Sequence, residues 1–195
     1  MTYMFVTFGP THSGKTTFGK RLSEAVGASA KFIHVDNDEV DEFIQAKFKN
    51  LRNDPEVIKR RSPAKPDLRL LIPQLITDFA LGEGYSVIAT ASHPKQIIRE
   101  KYYEIAQKHN ARIVLIIFSI SDEEANHRIE RSQKSKAILD IKPLGSSTYK
   151  DLRQQQINIA EVPDTAERST CFQIIEVNDE NANAMVRKAA ELLLG

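Results

Sequence analysis

The eight residues Gly9-Pro10-Thr11-His12-Ser13-Gly14-Lys15-Thr16 limit what this chain can fold into more than any other stretch. They match G-x-x-x-x-G-K-[ST] at every fixed position. An apolar run, Tyr3–Phe8, precedes them and a helix-forming run from Lys15 follows. That is the setting of a phosphate-binding turn between a strand and a helix. Phosphate needs closely spaced N–H donors and positive charge; the loop supplies the donors and the N-terminal end of the helix adds to the field. Gly9 permits a sharp turn off the strand, and Gly14 keeps side-chain bulk away from phosphate oxygens. Lys15 can reach the β- and γ-phosphates of a nucleotide, and the Thr16 hydroxyl is a magnesium ligand. Pro10, Thr11, His12 and Ser13 complete the cradle, with Thr17 at its helical edge. His12 either faces the phosphates or simply tolerates the loop backbone.

The rest of the pattern agrees with this beginning. Apolar runs at Met4–Phe8, Phe32–Val35, Tyr85–Ala91, Arg112–Phe118 and Phe172–Val177 are rich in Val, Ile and Phe, as strands buried on both faces of a parallel sheet are. Amphipathic segments alternate with them: Lys15–Val26, Val40–Phe48, Leu68–Leu81, Lys95–Lys108, Asp122–Gln133, Thr148–Ile159 and a last one from about Asn181 to Leu194. The expected fold is α/β, a five-stranded parallel sheet with helices on both faces, in one domain spanning residues 1–195. Hydrophobic content of 41% and charged content of 27% are those of a soluble globular protein, and a net charge of +1 supplies no global field that would demand nucleic acid or membrane. The single cysteine, Cys171, excludes an internal disulfide and points to a reducing, cytoplasmic setting. Tyr3–Phe8 is too short for a signal peptide, and no stretch approaches the length of a membrane span.

Phosphoryl transfer to a hydroxyl needs a carboxylate that orients the nucleophile and accepts its proton. Asp36 and Asp38, in "FIHVDNDEV", fall beyond the carboxyl end of the second strand, the edge where doubly wound sheets bind ligands. Asp36 suits the base or a place beside the metal, and Asp38 suits the acceptor or a metal-bound water. Asp38 could equally cap the next helix, whereas Asp36, beside the loop, is read as catalytic over the same alternative.

"GPTHSGKT" followed by "VDND" resembles the small P-loop kinases related to polynucleotide kinase, zeta toxins, chloramphenicol phosphotransferase and the gluconate and shikimate kinases. The resemblance implies a P-loop NTPase fold, ATP and Mg²⁺ as donor and metal, the loop as a Walker A motif, and Asp36 as base or magnesium-shell ligand. The D-x-D spacing is similar to that of the shikimate-kinase group. Glu39 stands where polynucleotide kinases tend to carry Arg, and Thr90 and Ser92 end the third strand where many relatives have Asp. The resemblance further implies a short helical lid at about residues 128–147. There Arg128 and Arg131, on one helix face, would meet the phosphates, with Lys134 and Lys136 able to add to them. The turn around Asn178 and Asp179 would then pass near the adenine.

The acceptor is expected opposite the lid, near Asp38, Ser92 and a basic insertion at about residues 47–69 that contains Arg60 and Arg61. Such a cluster suits an anionic acceptor, a nucleic acid backbone or a phosphorylated metabolite, or it is a solvated insertion. The histidines lack metal-ligand spacing; His93, before Pro94, reads as a helix start, and Tyr102 and Tyr103 read as core. The expected activity is transfer of the ATP γ-phosphate to a hydroxyl of a nucleic acid or nucleotide. The alternatives are a small-metabolite or antibiotic acceptor, and a nucleotide-dependent switch without an acceptor. No reading of the sequence fixes the oligomeric state.

Overall fold

A computed structural model describes residues 1–47, 68–138 and 146–195. The strands are β1 (Tyr3–Phe8), β2 (Phe32–Asp36), β3 (Ser86–Thr90), β4 (Arg112–Phe118) and β5 (Gln173–Val177). The helices described are α1 (Lys15–Val26), α2 (Asn37–Lys47), α3 (Leu68–Gly82), α4 (Gln96–Lys108), α5 (Asp122–Ile138), α6 (Ser146–Asn158), α7 (Thr165–Ser169) and α8 (Ala182–Leu194). Each strand lies within one residue of its expected bounds. The sheet is five-stranded in the order β2-β3-β1-β4-β5 and every pairing is parallel.

β1 occupies the centre, and all six of its side chains are buried. Successive residues point to opposite faces. Tyr3 and Phe5 join a core with Phe18 and Leu22 of α1 and Val186 and Ala189 of α8. Met4, Val6 and Phe8 join another with Leu81 of α3 and Tyr102, Tyr103 and Ala106 of α4. Helices therefore cover both faces, and the loop leaving β1 emerges at the middle of the carboxyl edge. Among the described residues no helix is long and apolar enough to cross a membrane.

Two helical features depart from expectation for local reasons. α2 starts at Asn37 rather than Val40, because Asp36 Oδ1 accepts from the backbone N–H groups of Asp38 (2.8 Å) and Glu39 (3.4 Å) and so caps the helix. The short helix α7 follows from Asp164, whose carboxylate accepts from Glu167 N–H at 2.8 Å; the D-x-x-E spacing was its sequence signal. α5 also continues beyond Gln133 to Ile138. Arg60 and Arg61, and the lid residues 139–145, lie outside the described residues.

α4 is tied to the carboxyl edge by a fully buried guanidinium. Arg99 donates to both Glu167 carboxylate oxygens at 2.6 Å, to the carbonyl of His93 at 2.9 Å and to that of Glu161 at 2.8 Å. Tyr103 donates its hydroxyl to Glu167 Oε1 at 2.8 Å. One charge pair thus holds the turn after β3, the chain after α6, and α7. Truncating one member would leave the other charged and buried. Glu167→Ala should accordingly lower unfolding free energy by about 3–5 kcal/mol, read from urea denaturation against wild type.

Candidate active site

The loop between β1 and α1 depends on two unusual backbone positions. Gly9 has φ 149°, and a Cβ there would sit 2.9 Å from both the Cβ and the carbonyl oxygen of Phe118, so only glycine lets β1 turn so close to β4. Gly14, the left-handed N-cap of α1 (φ 97°), faces Arg128 Nη1 at 3.0 Å from where its Cβ would be. The loop lines a cavity of about 670 Å³. Lys15 is buried beneath it and donates to the Pro10 carbonyl (2.5 Å) and Ser13 Oγ (3.1 Å). Burial pulls its ammonium down to about 7; Asp38 and, more weakly, Asp36 act the other way, while Arg153 pushes with burial.

The two aspartates take different places. Asp38 is exposed and lines the cavity. Asp36 is 3% exposed, with Oδ1 spent on the α2 cap and Oδ2 accepting from Thr90 Oγ1 at 3.1 Å. Parallel register sets Asp36 opposite Thr90, and His34 Nε2 lies 2.7 Å from the same hydroxyl. Burial lowers the pKa of His34, with Asp36 opposing. The third strand thus lacks its own carboxylate, but a carboxylate of the neighbouring strand stands beside Thr90. Glu39 faces outward and pairs with Lys20 at 2.8 Å.

From α5, Arg128 donates to Glu124 (2.7 Å), to Asp179 (3.3 Å) and to the His12 carbonyl (3.5 Å). It ties α5 both to the loop and to the turn before α8. Arg131 lines the same cavity, as do Thr16, Thr17 and Ser92. Asn178 lines it with the apolar Val177, Ala182 and Val186, while Asp179 meets it only through Arg128.

Two residues of α6 were missed by sequence reasoning. Gln156 Oε1 accepts from the Thr11 N–H at 2.6 Å and from Ser92 Oγ at 3.0 Å. Arg153, 6% exposed, donates to the Thr11 carbonyl and to Asp122 Oδ1, each at 3.1 Å. They lie three apart on one helix face. That spacing on the helix expected at Thr148–Ile159 was the available signal.

Among the described residues no three His, Cys, Asp or Glu side chains converge as a metal site. The Thr16 hydroxyl and the Asp38 carboxylate line the cavity beside the loop, with Ser13 and Glu124 as further oxygen donors, while Asp36 is buried. This small set fits magnesium, which keeps several waters and takes much of its shell from nucleotide phosphates.

A strand–loop–helix phosphate cradle at the centre of a parallel sheet defines a small P-loop, kinase-like domain. The chain belongs to the AAA domain family, whose profile matches residues 4–142. Solved structures share the fold over almost their whole length. A candidate kinase from Chloroflexus aurantiacus J-10-fl superposes with a TM-score of 0.65 at 15% identity, covering 98% of this chain and 96% of that one. Kti12 of Chaetomium thermophilum, in complex with ADP-AlF3, gives 0.62 at 15%, covering 97% and 96%. The APS kinase of Mycobacterium tuberculosis, in complex with AMPPNP and APS, gives 0.60 at 11%, covering 100% and 98%. No curated protein matches the chain.

His93 is not a helix start: α4 begins at Gln96, and His93 is a buried turn residue with φ 40°. Its Nδ1 lies 2.8 Å from the Thr7 carbonyl and its ring meets Tyr102 edge-on at 4.9 Å. Burial holds its pKa down at about 4, against an opposing pull from the Thr7 carbonyl. The folded value is depressed, so the neutral ring's contribution is complete above pH 6.5 and is lost as pH falls from there towards 4. Stability should drop by about 3 kcal/mol over that window from this group. Denaturation at pH 7 and pH 4 should show the drop, and His93→Gln should remove that share of it.

Proposed function

We propose that this chain is an ATP-dependent kinase that transfers the γ-phosphate to a hydroxyl of a small metabolite. The observation that carries the reading is the part of the cavity built by α2, the end of β3 and α6. Asp38, Thr90, Ser92 and Gln156 line it, one carboxylate among neutral hydrogen-bonding groups. The cavity's basic residues, Lys15, Arg21, Arg128 and Arg131, belong to the loop, α1 and α5. A neutral hydroxylated compound fits such a wall better than a polyanionic backbone does. The fold is shared with an APS kinase in complex with AMPPNP and APS. Nucleic acid, the acceptor favoured by the basic composition of residues 47–69, finds no cationic track on this wall among the described residues.

In this reading Lys15 and the loop amides hold the phosphates, while Thr16, backed by Asp36, would hold magnesium. The metal, when bound, neutralises phosphate charge. Arg128 and Arg131 cover the transferring group and answer its developing charge. Asp38, rather than the buried Asp36, receives the proton of the acceptor hydroxyl. We place this activity in one cytoplasmic domain.

Labelled ATP offered to polyols, sugars, aminoglycosides, nucleosides and oligonucleotides at low salt tests the assignment. Label should pass to a small hydroxyl compound; labelled oligonucleotide instead would restore the nucleic-acid reading. Lys15→Ala should reduce transfer by at least about 10³-fold in a folded protein, because it removes charge that the transition state needs. Asp38→Asn should lower turnover by about 10²-fold with ATP affinity changed only a few-fold. Wild-type turnover in Asp38→Asn would exclude it as base.

A further inference from the structure

We propose that Gln156 orients the attacking oxygen, donating from its carboxamide nitrogen to the nucleophile whose proton leaves toward Asp38. The inference rests on the kinase reading and names a contact residue within it. Gln156 lines the cavity with Lys15, Asp38 and Ser92. Its Oε1 bridges the phosphate side, at Thr11 N–H, and the acceptor side, at Ser92 Oγ. A carbonyl oxygen has two lone pairs, and both are used, so the plane of the amide is fixed. Its Nε2 carries two donors, with no hydrogen-bond partner for them among the described residues.

The support behind it is rigid. Arg153, one turn earlier, grips the Thr11 carbonyl and Asp122. Both backbone polar groups of residue 11 are therefore held by α6.

A hydroxyl nucleophile makes three demands at once. One lone pair forms the new bond to phosphorus, the proton goes to a carboxylate, and the second lone pair takes a hydrogen bond that sets its direction. Asp38 answers the second demand and Gln156 Nε2 the third. As the oxygen–phosphorus bond forms, the bond from phosphorus to the β-bridging oxygen breaks and ADP leaves with that electron pair. Water in place of the acceptor is oriented by the same two groups.

Gln156→Glu and Gln156→Ala separate orientation from mere bracing. A carboxylate can still accept from Thr11 N–H and Ser92 Oγ but cannot donate. The probes are a fluorescent ATP analogue for binding, thermal melting for the fold, and phosphate released from Mg-ATP with water as acceptor. For Gln156→Glu we expect melting near wild type, affinity within about threefold and hydrolysis down by about 10-fold or more. Gln156→Ala should lose hydrolysis to a similar extent. If Glu restores hydrolysis together with melting, Gln156 is only a brace and the proposal fails. It also fails if Ala hydrolyses at the wild-type rate, or if wild type binds the analogue yet releases no phosphate. A wild type that does not bind the analogue would instead remove the kinase reading beneath it.

Discussion

Burying the Lys15 ammonium with a carbonyl and a hydroxyl as its direct partners puts a positive charge where water is nearly excluded. An isolated charge in such a place is costly unless something answers it. Asp38 and Asp36 answer in part, while Arg153 adds a like charge. The balance leaves a site that gains from an incoming anion. The left-handed Gly14 and the turn at Gly9 hold the loop so that this anion can approach the backbone closely. In this sense the sheet, the helix start and the surrounding charges all serve to keep one ammonium poised.

The walls around that ammonium are fixed from behind. Arg99 and Glu167 form a pair with four well-placed hydrogen bonds to carboxylate and carbonyl oxygens. Satisfied in this way, a buried ion pair fixes geometry even where its net contribution to stability is small. It sets the turn that carries His93, and hence the adjacent Ser92, against the chain returning from α6. Ser92 and Gln156 meet because both ends of their supporting segments meet at Arg99.

The sheet was legible because strands buried on both faces read as unbroken apolar runs, and β1 and β4 are such runs. The phosphate loop was legible because the residues of its motif are contiguous, from Gly9 to Thr17. Asp36 was found but its double duty was not, since the Thr90 partner lies 54 positions away. Arg153 and Gln156 were invisible for the same reason, reaching Thr11 across 142 and 145 positions. The basic stretch 47–69 is legible as charge in the composition, but most of it lies outside the described residues, and composition records charge without its place. His93 misled because the residue before a proline suggests a helix boundary, while burial against Tyr102 decided its position.

The grip of α6 on Thr11 bears on how such domains can be rearranged. A lid is usually thought of as a cassette hung on the outside of a core, exchangeable at its two stems. Here α6 supplies hydrogen bonds to the phosphate loop itself, so the loop's shape is partly inherited from helix residues 142 and 145 positions further along the chain. A chimera that swapped the whole α5–α6 unit would import a foreign brace for its own nucleotide cradle. The natural seam lies instead before α6, leaving Arg153 and Gln156 with the loop they hold.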